Sequence, residues 1–179
     1  METRIIKVDE KNPEKELIEQ AAELIRNGKL VAFPTETVYG LGANGLDKEA
    51  ASRIFVAKGR PQDNPLILHV SSIEEVKPLV KHIPKKAEEI AEKYWPGPLT
   101  MIFERSSLIP DVITGGLDTV AIRMPNHPVA LALIKASGVP IAAPSANTSG
   151  KPSPTLAQHV IEDLYGKVDM VIDGGATGV

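Results

Sequence analysis

Short apolar runs alternate along this chain with segments of helical period, and that alternation confines it to folds in which helices pack on a sheet. Ile5, Ile6 and Val8 read as a short strand. Asn12 then offers a side-chain cap and Pro13 a proline at the first helical position. Leu17, Ala21, Leu24 and Ile25 recur at helix period until Gly28 stops the pattern. Residues 29–33 form the next strand, and Asp47 can cap a helix with Ala50, Ile54 and Ala57 on one face. After a strand over 66–70, Ser71 or Ser72 opens a helix in which Pro78 forces a kink or an early end. Pro84 begins another helix, which Pro96-Gly97-Pro98 terminates. Later strands are expected over 99–103, 119–123, 139–143 and 169–173, with helices over 128–137 and 154–165 between them. The expectation is one α/β domain over residues 1–179, built on a twisted mixed β-sheet flanked by helices.

Composition narrows the function classes. The 179 residues carry a net charge of -3 and no cysteine. A pI near 5.8 argues against coating nucleic acid by charge alone. Without cysteine there are no disulfides and no thiolate zinc sites. Met1-Glu2-Thr3-Arg4 has no apolar signal segment and no apolar run approaches membrane length, so a soluble cytoplasmic protein is expected. Aromatic residues are 4%, which leaves the core to Val, Ile, Leu and Ala. Seven prolines (34, 61, 65, 98, 125, 140 and 144) flank strands, where they stiffen a preorganised site or answer to a hot environment. Gly40-Leu41-Gly42-Ala43-Asn44-Gly45 matches the dinucleotide-binding glycine pattern, but six residues separate it from the preceding strand and no acid ends the next one. Its glycines are read as serving turns and close packing. There is no phosphate-binding P-loop.

The polar residues gather in three places, each at the end of an apolar run: Pro34 to Gly40, Lys58 to Leu66, and Ser145 to Thr155. Lys58 and Arg60 sit where a helix C-terminus favours cations, which suits either a solvated surface or a phosphate clamp. Asn64 adds a neutral donor and acceptor. His69 lies between Leu68 and Val70, as a half-buried histidine would, and the four histidines show no i,i+4 pairing of a metal site. Arg123 ends its strand beside Pro125, either solvated or gripping a carboxylate. Ser145, Asn147 and Ser153 lie in a hydroxyl-rich loop fit for phosphate, ribose or base edges, with Ser153 also expected to cap the helix at Pro154.

Taken together, Pro34-Thr35-Glu36-Thr37-Val38-Tyr39-Gly40-Leu41-Gly42, Lys58-Gly59-Arg60-Pro61 with Asn64-Pro65-Leu66, Trp95-Pro96-Gly97-Pro98-Leu99-Thr100, and Ser145-Ala146-Asn147 with Pro152-Ser153-Pro154-Thr155 resemble the threonylcarbamoyl-AMP synthase family, with its YrdC-like fold. The resemblance covers nearly the whole chain. It implies an enzyme that joins L-threonine, bicarbonate and ATP into threonylcarbamoyl-adenylate and pyrophosphate. The adenylate would feed a separate complex that modifies the adenosine beside the anticodon of tRNA. Mg²⁺ is expected to come with ATP, with no metal ligand from the protein. By the same resemblance Lys58 and Arg60 are catalytic and, with Asn64, Thr119, Ser145, Asn147 and Ser153, bind ATP. Thr37, His69, Arg123 and Ala143 would hold threonine, Arg123 pairing its carboxylate. Selection over serine then rests on one methyl group and should be modest.

One departure accompanies the resemblance. The chain ends at Asp173-Gly174-Gly175-Ala176-Thr177-Gly178-Val179, where the family continues into a further strand, so a C-terminally shortened catalytic domain is expected. Two other classes stay open: an RNA-binding or ribosome-assembly module of the same fold, and a carbamoyl-transfer domain like that of hydrogenase maturation proteins. Whether tRNA touches this chain is open too.

Overall fold

A computed structural model of the chain describes residues 1–62 and 64–178. In order the elements are β1 (Arg4–Lys7), α1 (Lys15–Arg26), β2 (Val31–Pro34), β3 (Tyr39–Asn44), α2 (Lys48–Lys58), β4 (Ile67–His69), α3 (Lys85–Tyr94), β5 (Thr100–Glu104), α4 (Asp111–Thr114), β6 (Thr119–Arg123), α5 (Pro128–Ser137), β7 (Ile141–Ala142), α6 (Ala157–Leu164) and β8 (Met170–Asp173). Two 3₁₀ turns, Ile73–Glu75 and Lys77–Leu79, precede α3. The strands form one eight-stranded sheet in the order β1-β8-β2-β3-β7-β4-β6-β5. β8 runs parallel to β1 and β2, and β4 parallel to β6, while the other neighbours are antiparallel. This is the α/β fold with a mixed sheet and flanking helices that the alternation implies. Among the described residues no helix is long and apolar enough to cross a membrane.

Two cores sandwich the sheet. On one face Ile18, Ala21, Ala22 and Ile25 of α1 and Val129, Ala130, Leu133 and Ile134 of α5 pack on Val31, Phe33, Ile141, Met170 and Ile172. The other face carries a larger core that includes Ile54 and Phe55 of α2, Ile113 of α4 and Val160 of α6. Strand period sets this division: Val31 and Phe33 belong to the first core and Ala32 between them to the second. The first core stops at β7. Beyond it the same face of β4, β6 and β5 is only partly covered, with Ile67, Thr119, Ala121 and Arg123 half-buried and Ile102 63% exposed.

Several local expectations are corrected. Asn12 does not cap α1. The Asp9 carboxylate takes the amides of Lys11 and Asn12, both at 2.9 Å, and that tight turn delays the helix to Lys15, with Glu14 at the cap position. Ser71 and Ser72 open a 3₁₀ turn rather than an α-helix. The Glu75 carboxylate takes the Ser71 amide and both serine hydroxyls, which tightens the turn just ahead of Pro78. Ser153 does not cap a helix at Pro154, because α6 starts at Ala157 with Leu156 at its cap. The Pro154 carbonyl accepts from Tyr39 N at 2.9 Å and the Thr155 carbonyl from Thr177 N at 2.9 Å, so neighbouring chain holds the segment out of the helix. Asp47 caps α2 as expected, accepting from Glu49 N and Ala50 N.

For the glycine stretch the expected turn is corrected and the expected close packing is borne out. Gly40 to Asn44 is not a turn but most of β3, antiparallel to β2 and to β7. Close approach is its reason. A Cβ on Gly42 would stand 2.8 Å from Phe33 Cε1 and 2.9 Å from Ile141 Cγ2, and one on Gly45 2.5 Å from Leu68 Cδ2. Glycine here lets large side chains of neighbouring strands lie over the backbone. Gly42→Ala should therefore lower the unfolding free energy by about 1–3 kcal/mol through overpacking. Urea denaturation of parent and variant measures it, and equal midpoints would show that the sheet has room at Gly42.

Candidate functional site

Register brings the candidate residues of the central strands onto one face. His69 lies opposite both Arg123 and Ile141, and Ala121 opposite Ile67. The Ala143 amide donates to the Ile67 carbonyl at 3.1 Å, which continues the row into the loop after β7. Thr119, Arg123 and His69 thus share the sheet face beyond β7, His69 buried and the other two half-buried, while Ala143 packs at the edge of the first core. Gly40 and Ser145 bridge at its border.

Lys58 closes that border from the end of α2. It is 2% exposed, and its Nζ donates to the carbonyl of Ser145 and to that of Asn147, the latter at 2.7 Å. Its own carbonyl accepts from Ser149 N at 2.8 Å, so one residue pins the loop at three points. Gly59 follows in the left-handed region at φ 68, which ends α2 and turns the chain towards Arg60. Burial, with Arg60 nearby, pushes the Lys58 ammonium down to about 8, and Asp163 partly offsets this. The group keeps its charge through neutral pH. Arg60 lies over the Phe55 ring at 5.3 Å. Asn64 stands apart: it is exposed and no hydrogen bond of its side chain is seen among the described residues.

In the following loop both Asn147 amide hydrogens are used, Nδ2 donating to the carbonyls of Thr148 and Lys151 at 2.9 Å. Its Oδ1 is buried with no partner among the described residues and so remains an open acceptor. Thr148 is fixed from α6 by Asp163, which accepts from its amide at 2.5 Å and its hydroxyl at 2.8 Å. A cavity of about 460 Å³ opens here, lined by Asn147, Lys151, Ser153, Thr155, His159 and Asp163 among others. Ser153, though no cap, is part of its wall.

Opposite this loop lies the connection from β2 to β3. The Thr35 hydroxyl donates to Val38 O at 2.7 Å and accepts from Thr37 N at 3.2 Å, which closes a tight turn. With its proton committed, it accepts from the Thr37 hydroxyl at 3.1 Å and leaves the Thr37 oxygen lone pairs open. Arg123 is reached from this turn by Glu36, whose Oε1 accepts from Nη2 while Oε2 accepts from Asn126 N at 2.9 Å. Arg123 Nε donates to Gly97 O at 3.2 Å. Burial lowers the pKa of Arg123, and Glu36 opposes that shift. His69 is 3% exposed, and its Nδ1 lies 3.2 Å and 3.3 Å from the carbonyls of Ile67 and Ile141. Two acceptors fix the proton on Nδ1 and leave Nε2 as the lone-pair side.

Sequence reasoning passed over Glu36, Tyr39 and Asp163. The Tyr39 hydroxyl donates to Gly175 O at 2.7 Å and accepts from Gly174 N at 3.1 Å, so it ties the chain after β8 to the site. Nothing in the linear order links Glu36 to Arg123, although Glu36 lies inside the most specific motif. Among the described residues no three His, Asp or Glu side chains are grouped to hold a metal ion.

Burial, then the Arg123 charge, pushes the His69 imidazole down to about 4 from 6.5. Between those values the unfolded chain holds the extra proton, so His69 favours folding above pH 6.5 and that contribution is lost as pH falls towards 4. Unfolding free energies taken at pH 7 and pH 4 should differ by about 3 kcal/mol less in His69→Gln than in the parent. An identical pH dependence in the two proteins would contradict the buried neutral imidazole.

Comparison with known proteins bears out the fold. The family model for Sua5, YciO and YrdC proteins, described as telomere recombination, matches residues 23–179. A threonylcarbamoyl-AMP synthase of Pyrococcus abyssi is 64% identical over 89% of this chain and 47% of its own. One of Bacillus subtilis is 55% identical over 90% of this chain and 47% of its own. The crystal structure of P. abyssi Sua5 complexed with L-threonine superposes with a TM-score of 0.95 and 62% identity, over 98% of this chain and 51% of that one. The chain therefore spans about half the length of these relatives. With a family model over residues 23–179 and relatives at 64% and 55% identity, this chain belongs to the Sua5/YciO/YrdC family.

Proposed function

We propose that residues 1–179 act as one catalytic domain that makes L-threonylcarbamoyl-adenylate and pyrophosphate from L-threonine, bicarbonate and ATP. The observation that carries the reading is the buried Lys58 ammonium joined to the Ser145 and Asn147 carbonyls beside a cavity of about 460 Å³. It joins two remote polar motifs at the edge of that cavity, where Lys151 and Ser153 also stand. The names of the relatives support the reaction, and the threonine-bound P. abyssi Sua5 supports the amino acid.

In this reading the threonine amine, once neutral, attacks the carbon supplied by bicarbonate with loss of water. The resulting carbamate oxygen attacks the α-phosphorus, and the bond to the bridging oxygen breaks to release pyrophosphate. Mg²⁺ arrives with the nucleotide as MgATP. Lys58 and Arg60 offset charge on the phosphates, Lys58 through the one ammonium hydrogen its two carbonyl partners leave over. Ser145, Thr119, Asn64 and Ser153 line the nucleotide path, and Asn147 Oδ1 offers its open acceptor to a ribose hydroxyl or base amine. Arg123 meets the threonine carboxylate, with Thr37, His69 and the Ala143 backbone around the rest. No covalent intermediate is needed, and positioning with charge compensation does the work. The product would pass in the cytoplasm to a separate transferase acting on tRNA. Full-length HypF, in a phosphate- and nucleotide-bound form, matches at a TM-score of 0.79 and 22% identity, a likeness of fold alone.

The test is pyrophosphate release from MgATP with each co-substrate left out in turn. Release should require both L-threonine and bicarbonate, and Lys58→Met should lower kcat/KM by about 10²-fold or more. L-serine should be used about 10–200-fold less well, the range one methyl group allows. Release that ignores threonine would sink the reading.

A further inference from the structure

Glu36 is a charged group of the site that the proposed reaction leaves without a task. Its carboxylate bridges the Arg123 guanidinium and the Asn126 amide, and its own backbone carbonyl accepts from Gly178 N at 3.2 Å. Side chain and backbone are therefore anchored at three separate points. Both partners of the ion pair are largely covered, with side-chain exposures of 11% for Arg123 and 22% for Glu36. Arg123 is held in turn from two sides, since Nε goes to Gly97 O and Nη2 to Glu36, while Nη1 has no hydrogen-bond partner among the described residues. A planar guanidinium fixed at two nitrogens presents the third in one direction.

We infer that Glu36 is a positioning residue for amino-acid recognition, holding the Arg123 fork so that Nη1 meets the substrate carboxylate. The inference rests on the threonine reading above. Glu36 is not a built-in occupant of the carboxylate site. An occupant that substrate must displace would gain nothing from the Asn126 amide, and it would not leave Nη1 open. The pair also lowers the cost of keeping a guanidinium half-buried before substrate arrives, so the fork is in place without ligand. Gly97 and Asn126 belong to different loops, and Glu36 reaches Arg123 from the threonine-rich turn that carries Thr37. The Arg123 fork and the turn that carries Thr37 are thus joined directly.

The test uses Glu36→Gln and Glu36→Asp in the full chain, with L-threonine and ATP varied separately in the pyrophosphate assay and folding checked by thermal melts. Glu36→Gln should raise KM for L-threonine by about tenfold, the size of a lost charge-assisted hydrogen bond, with the loss falling on that KM rather than on kcat or on KM for ATP. Glu36→Asp keeps the charge with a shorter reach and should fall between the two. A lower KM for threonine in Glu36→Gln would make Glu36 a competing occupant, and equal losses for both substrates would make it general support. Either result overturns the inference, as does loss of folding in both variants. Parent protein that shows no threonine dependence would instead sink the functional reading, whereas a threonine-dependent parent with unchanged variants sinks the positioning role alone.

Discussion

The Lys58 ammonium sets the terms for the rest of the site. A buried charge is tolerated only where hydrogen bonds replace its water, and here the replacements are two backbone carbonyls 87 and 89 residues further along the chain. That demand fixes the loop after β7 against the end of α2. Ser149 N on the Lys58 carbonyl and Asp163 on Thr148 hold the same loop from other sides. The cavity beside Asn147 opens next to this anchored loop. Burial also weakens the hold of Lys58 on its proton, though not enough to discharge it at neutral pH.

The sheet divides its labour along one face. Under α1 and α5 it is a core surface, where Phe33 and Ile141 press on the glycines of β3. Past β7 the same face carries His69, which is buried, with Arg123 and Thr119, which are half-buried. Parallel pairing of β4 with β6 puts the C-terminal residues of both strands side by side, so His69 and Arg123 are neighbours by register. Their proximity has an electrostatic consequence. The Arg123 charge adds to burial in keeping His69 neutral, and Glu36 answers the charge of Arg123.

The motifs proposed to carry chemistry were legible because glycine, proline and paired polar residues stand out between apolar runs. Lys58, Ser145, Asn147, His69 and Arg123 all lie where strand or helix ends were expected; the structure joins Lys58 to Ser145 and Asn147 and sets His69 beside Arg123. Thr37 joins them through the turn that Glu36 ties to Arg123. Asn64 was equally legible, yet no bond holds it to the others. Strand β3 was hidden because its glycines imitate a turn, and only the neighbouring side chains of Phe33, Ile141 and Leu68 explain them. Asn12 and Ser153 were good caps by local rules, but Asp9 and the bonds to Pro154 and Thr155 outcompeted them. Val179, which ends the glycine-rich stretch after β8, lies outside the described residues.

By itself the sequence determined the alternation of elements, the strand period that separates the two cores, and the identity of the polar groups at strand ends. These follow from local propensity and periodicity, which neighbouring residues define. Tertiary structure alone decided strand order, the pairing of Glu36 with Arg123, the tie from Tyr39 to Gly174 and Gly175, and the open acceptor on Asn147. Each joins residues remote in sequence or depends on which partners burial leaves available. Such contacts form only once the whole sheet has closed, and no local pattern encodes them.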